Sequence, residues 1–163
     1  MPTSAEAFAF FGVSLGSSND DDWWATLERL APLALGADRE GVAFGVDQTF
    51  SAMCDLEFEI LDKLNDHERK FLGDDEATRL VVVAVFSFSY TSGGTHEVFL
   101  VLKSHFTSLY SSSEDWADPQ PQCATLRPVP HDAAVAAFDR ARTTLGFSTA
   151  SKPGYRLVLS MRE

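Results

Sequence analysis

A chain of 163 residues has the length of one domain, and it can bury roughly two-thirds of its unfolded surface without a metal or disulfide staple. With 45% hydrophobic and 12% aromatic residues, it is not a disordered, collagenous or low-complexity protein. Its 24 acids against 13 Lys and Arg leave a net charge of -11, which argues against a general nucleic-acid-binding surface or docking on anionic lipid. The excess is confined to residues 1–79, with seventeen acids and six bases; residues 80–163 carry seven of each. The two cysteines, Cys54 and Cys123, are far apart and outside any CxxC, so two reduced thiols are expected. The chain opens without a basic-then-apolar leader, and its longest apolar run, Leu80 to Phe88, is less than half of a membrane span. A soluble, cytoplasmic protein is the expectation.

Phe8 to Leu15 reads as a buried first strand bounded by Gly16-Ser17-Ser18. Asn19 or Asp20 then caps a helix with Asp21 and Asp22 in its first turn, and Trp23, Leu27, Leu30 and Ala31 recur at helical spacing. Pro32 ends or kinks it. Val42, Phe44 and Val46 alternate as a short strand. Phe50 to Leu72 has two readings. As a helix it puts Phe50, Cys54, Phe58, Leu61, Leu64 and Leu72 on one broad face; as a strand, Asp55, Glu57 and Glu59 alternate with apolar residues over Cys54 to Ile60. Helix is favoured from about Asp62 onward.

Arg79 to Tyr90 and His96 to Lys103 form a hairpin, with Thr91-Ser92-Gly93-Gly94-Thr95 as its turn. Ser104 to Ser113 can continue as strand. Glu114 to Pro130 holds four prolines and reads as a loop, with a short strand near Ala124 to Leu126. Asp132 caps a final helix that buries Ala134, Val135, Phe138, Ala141 and Leu145 and stops at Gly146. Tyr155, Leu157, Leu159 and Met161 then alternate with Arg156, Val158, Ser160 and Arg162 in a partly exposed closing strand. The expected fold is a single α+β domain spanning residues 1–163: a mixed or antiparallel sheet with two to three helices packed on it.

The chemistry-bearing residues do not assemble into a recognised motif. His67, His96, His105 and His131 lack metal-ligand spacing, and a site built from His96 and His105 would need a carboxylate brought across the hairpin. No GxxxxGK[ST], GxGxxG or GxSxG is present. Cys54 is flanked by Asp55, Glu57 and Glu59, which disfavour a thiolate, so Cys123 with His131 is the better nucleophile and base pair. No catalytic residue, metal or cofactor is assigned. The acids are more informative. On a helix Asp55, Glu59, Asp62 and Asp66 fall at i, i+4, i+7 and i+11 as one stripe, either a solvated face or a surface selected to meet a basic partner. Asp20, Asp21 and Asp22 adjoin Trp23 and Trp24, which point about 100° apart, so one of the two lies near a surface. Glu114, Asp115 and Trp116 form a second aromatic and acidic group.

The Ala9-Phe10-Phe11-Gly12-Val13 strand precedes an acidic, Trp-bearing helix. At the other end, Phe138-Asp139-Arg140-Ala141 leads through Leu145-Gly146-Phe147 and Lys152-Pro153-Gly154-Tyr155 into a last strand. These two ends resemble small uncharacterised proteins encoded by bacteriophages and mobile elements. The long Ser/Pro loop and a last strand without tryptophan depart from that pattern. The resemblance implies a host-interaction or counter-defence role through binding and supplies no catalytic residue. The expected function is therefore a non-enzymatic acidic binding protein, an inhibitor, counter-defence or immunity-type factor. It would engage the basic surface of a protein partner, a nucleic-acid-handling protein being the concrete case because carboxylates in a row imitate a phosphate backbone. Direct nucleic-acid binding and membrane binding are not expected. The alternative is an enzyme or small-ligand-binding protein with an unrecognised site.

Overall fold

The computed structural model describes residues 4–36, 49–65, 71–72, 75–89, 93–112, 128 and 131–162. In chain order the elements are β1 (Ser4–Ser17), α1 (Trp23–Leu35), α2 (Phe50–Asn65), β2 (Phe71–Leu72), β3 (Leu80–Ser89), β4 (Gly93–Leu102), β5 (Thr107–Ser112), α3 (His131–Leu145) and β6 (Gly154–Arg162). The fold is α+β, and every ladder among the described residues is antiparallel.

The first strand organises the sheet. Residues Ala5 to Ala9 pair with both β5 and β6, and Gly12 pairs with both Val101 of β4 and Gly154 of β6. A strand has two edges, so β6 occupies one and β4 followed by β5 occupies the other. A 3-10 turn at Lys103–His105 separates those two strands. Beyond β4 lie β3 and then the two-residue β2. Glycine at position 12 permits this packing: a Cβ there would stand 2.5 Å from the carbonyl oxygen of Leu100.

Alternation along β1 sends Phe11 and Val13 to one face and Phe8 and Phe10 to the other. On the first face, Val82, Leu100 and their neighbours meet α1, α2 and α3 through Leu27, Leu30, Ile60, Leu64, Ala134 and Phe138. The second face has its own core, in which Phe10 meets Phe99 edge-on at 5.1 Å and Val81, Val83 and Val85 close over them. The sheet curls to do this, bringing β3 within 8 Å of β6. Burial on both faces explains why Leu80 to Val85 is an unbroken apolar run rather than an alternating one.

Several expectations are corrected here. The ambiguous segment is helical from Phe50 to Asn65, including all of Asp55 to Ile60, while Leu72 belongs to β2. Its buried line is Leu56, Ile60 and Leu64 with Leu61; Phe58, two positions from both Leu56 and Ile60, points the other way. Helix α1 starts at Trp23 with Asp22 as its N-cap and no side-chain capping bond, so neither Asn19 nor Asp20 caps it. Pro32 sits inside its last turns without ending it. Gly93 and Gly94 lie in β4 opposite Ser89 and Phe88 rather than in the turn, and Gly93 has φ 77°. Asp132 lies in the first turn of α3, and that helix ends as expected at Gly146. There the N–H of Phe147 donates to Arg142 O at 2.8 Å and that of Gly146 to Thr143 O at 3.2 Å. The strand over Val42 to Val46 and that near Ala124 lie outside the described residues.

Candidate functional site

One side chain links the start of α1, which follows the Asp20–Asp22 turn, to α2, which carries the acidic stripe. Trp23 is only 5% exposed, and its indole Nε1–H donates to Glu57 Oε1 at 2.9 Å. This bond joins the start of α1 to the middle of α2. Of the two tryptophans, Trp23 therefore belongs to the core, and the half-buried Trp24 lies towards the surface. The turn is held by its own backbone and by β4. Asp20 Oδ2 accepts from Ser17 N at 2.7 Å, and Asp20 O from Trp23 N at 3.1 Å. Ser18 N donates to His96 O at 2.8 Å while Ser18 Oγ accepts from His96 N at 2.9 Å. Asp20, Asp21 and Asp22 are all exposed; one of them has a structural task, and all three add negative potential.

On α2 the outward face carries Asp55 and Asp62, both exposed, and Glu59, which is half-buried. Between them stands Phe58, 65% exposed, with Asp55 three residues before it, Glu59 next to it and Asp62 four residues after it. Phe50, at the first residue of the helix, is 78% exposed. Sequence periodicity assigned both rings to the buried face. The signal that separates them was the Leu56, Ile60, Leu64 line, spaced by four, which needs neither ring. Asp66, Glu114, Asp115 and Trp116 lie outside the described residues, as does Cys123.

His96 is displaced from its ordinary value. Burial lowers its pKa below 6.5, and the Glu57 carboxylate opposes that shift only in part. Its ring packs against Phe86 at 4.8 Å. Between the lowered folded value and 6.5 the unfolded chain binds a proton that the native state does not, so stability is full above about pH 6.5 and declines as the pH falls through that window. His96→Phe keeps the ring contact and removes the titration. Its urea midpoint should vary less between pH 7.5 and pH 5 than the parent's; equal slopes would exclude His96 as the source.

His105 sits at the far end of β4, where its ring nitrogens lie 2.9 Å from Ser104 Oγ and 3.4 Å from Pro128 O, so the strand keeps it apart from His96. Among the described residues, no three His, Cys, Asp or Glu side chains are grouped to hold a metal. Two open clefts lie among the described residues. One, about 440 Å³, lies between α1 and the end of α3 and is lined by Asp22, Arg29, Ser148 and Ser151; Arg29 is stacked over the Phe147 ring at 5.3 Å. The other, about 600 Å³, opens beside β6. No helix among the described residues is long and apolar enough to cross a membrane. Neither a protein-family model nor a curated protein nor a solved structure matches the chain.

Proposed function

We propose that the protein is a non-enzymatic acidic binding protein, of the inhibitor, counter-defence or immunity type, that engages a basic surface on a protein partner through the outward face of α2 and the Asp20–Asp22 turn. The observation that supports this most is Phe58, an exposed aromatic ring surrounded by Asp55, Glu59 and Asp62. A purely solvating helix face has no use for it. Burying such a ring against a partner contributes about 1.5–3 kcal/mol, while the carboxylates accelerate encounter and fix register. A protein that handles nucleic acid presents a surface of the right sign, because its own ligand is a row of anionic phosphates.

The test separates the two contributions. Affinity capture from the native host identifies the partner, and stopped-flow mixing then measures it against variants. Asp55→Lys, Glu59→Lys and Asp62→Lys together should slow association about tenfold or more at low salt and much less at high salt. Phe58→Ala should leave association nearly unchanged and speed dissociation. An association rate indifferent to the triple reversal would sink the proposal.

A further inference from the structure

The cleft between α1 and the end of α3 is lined by one cation and one anion, Arg29 and Asp22, and no ion pair satisfies either among the described residues. Arg29 lies along the end of α3. Its Cδ and Nε pass 3.8 Å from the place a Cβ on Gly146 would occupy, and its guanidinium carbon lies over the Phe147 ring, 5.3 Å from the centroid. Such a contact engages the plane of a guanidinium and leaves the N–H donors along its edge. Those donors make no hydrogen bond among the described residues. Asp22 is the N-cap of α1, yet its carboxylate makes no capping bond. It stands seven residues before Arg29, on the same side of the helix and about 10 Å away along the axis.

The facing wall is rigid and polar. The carbonyl oxygens of Ser148 and Ser151 both accept from the buried Arg142 Nη1, at 3.3 and 2.6 Å, which pins the segment that carries these two residues. Ser148 Oγ accepts from Ala150 N at 3.2 Å and keeps its own proton to donate, while the Ser151 hydroxyl has no bond among the described residues. This arrangement selects a ligand by charge. A simple anion would meet Arg29 but also the Asp22 carboxylate, and a simple cation the reverse. A molecule that carries both charges answers both walls. The edge of a guanidinium matches a planar carboxylate with two parallel bonds, and Asp22 can accept from an ammonium. The two turns of helix between them call for several bonds between the ligand's charges, and the cleft, about 440 Å³, has room for such a chain.

We propose that this cleft binds a small linear zwitterion, its carboxylate held by Arg29 with the Ser148 and Ser151 hydroxyls beside it and its ammonium held by Asp22. An ω-amino acid and a short peptide with free ends share that chemistry. The site goes beyond the acidic face offered to a protein partner. Asp22 belongs to both, but Arg29, Ser148 and Ser151 have no part in the other.

The test is to titrate the intact protein with γ-aminobutyrate, ε-aminocaproate and alanylalanine while following its amide NMR spectrum. Saturable shifts should appear at Gly146 to Ser151 and around Asp22. Propionate and propylamine, each with half of the charge pair, should bind about tenfold more weakly or worse. Binding of the ω-amino acids without the peptide assigns the site to free amino acids, and binding of the peptide alone assigns it to peptide ends; either supports the proposal. Arg29→Gln and Asp22→Asn, both at exposed positions and the second still able to cap α1, should each weaken binding about tenfold or more. Their spectra away from the cleft should match the parent's, which separates a lost contact from a lost fold. The triple variant Asp55→Lys, Glu59→Lys and Asp62→Lys should bind as the parent does, so failure here leaves the acidic face standing, and the reverse. No saturable shift with any of the three zwitterions would overturn the proposal. So would propionate binding as tightly as they do, or affinity indifferent to both cleft variants.

Discussion

Arg142→Ala is expected to lower the unfolding free energy by about 3–5 kcal/mol, the largest loss from any single charged residue in the described structure. The side chain is 2% exposed, deep at the end of α3. Its Nη1 donates to Ser151 O at 2.6 Å and to Ser148 O at 3.3 Å, and its Nη2 donates to Asp139 Oδ1 at 2.8 Å. One guanidinium thus ties the helix to the segment that leads into β6. Truncation leaves both carbonyls without their donor and opens a cavity where the aliphatic stem packs. Because Asp139 is 49% exposed, the ion pair itself is screened, and Asp139→Asn should cost no more than about 1 kcal/mol. Arg142→Lys retains the charge but not the planar fork that reaches three acceptors, so it should fall between the two. Urea unfolding followed by circular dichroism ranks the variants. If Ala and Asn were equally mild, the clamp would carry no energy. The same clamp holds the approach to β6, so amide exchange at Gly154 to Leu159 should quicken in Arg142→Ala before α1 and α2 are affected.

Much of the scaffold was legible in the residues, and the exceptions share a cause. Trp23, Leu27, Leu30 and Ala31 at helical spacing are the buried line of α1, and the apolar run from Leu80 is the strand β3, buried on both faces. Both are local patterns with a single consistent environment. The pattern in β6 was equally clear but its environment was not. Alternation divides Tyr155, Leu157 and Leu159 from Arg156 and Val158, yet it does not say which side meets the helices or how far they extend. In the event the leucine side is bare and Val158 turns inward, because the sheet curls and its concave face closes upon itself. Phe58 misled for a similar reason. Its hydrophobicity placed it on the inner face, whereas the geometry of three leucine-type residues four apart leaves it outside. The acidic stripe was readable as spacing, but its helical identity depended on α2 packing against α1 and β3, contacts remote in sequence. The bond between Trp23 and Glu57, which spans thirty-four residues, had no signature at all.

That bond carries the second large effect. Trp23→Ala is expected to cost about 3–5 kcal/mol, from the cavity left between α1, α2 and the sheet. Trp23→Phe fills most of that space and removes the indole donor, so it should cost much less and isolate the hydrogen bond, worth about 0.5–1.5 kcal/mol. The more telling consequence concerns His96. In the parent, Glu57 Oε1 is engaged by the indole at 2.9 Å, and the carboxylate offsets only part of the burial that lowers the His96 pKa. Released from Trp23, the carboxylate is free to serve the imidazolium, and opposite charge favours the protonated form. The His96 pKa should therefore rise in Trp23→Phe, and the loss of stability on the acid side of pH 6.5 should shrink with it. Following the His96 ring proton by NMR against pH in the two proteins measures this directly. An unmoved titration would mean that Glu57 stays where it is without the indole, and that the α1–α2 contact is held by packing alone. A raised pKa would establish the tryptophan as the residue that fixes the carboxylate, and with it the position of α2, on which the acidic face depends.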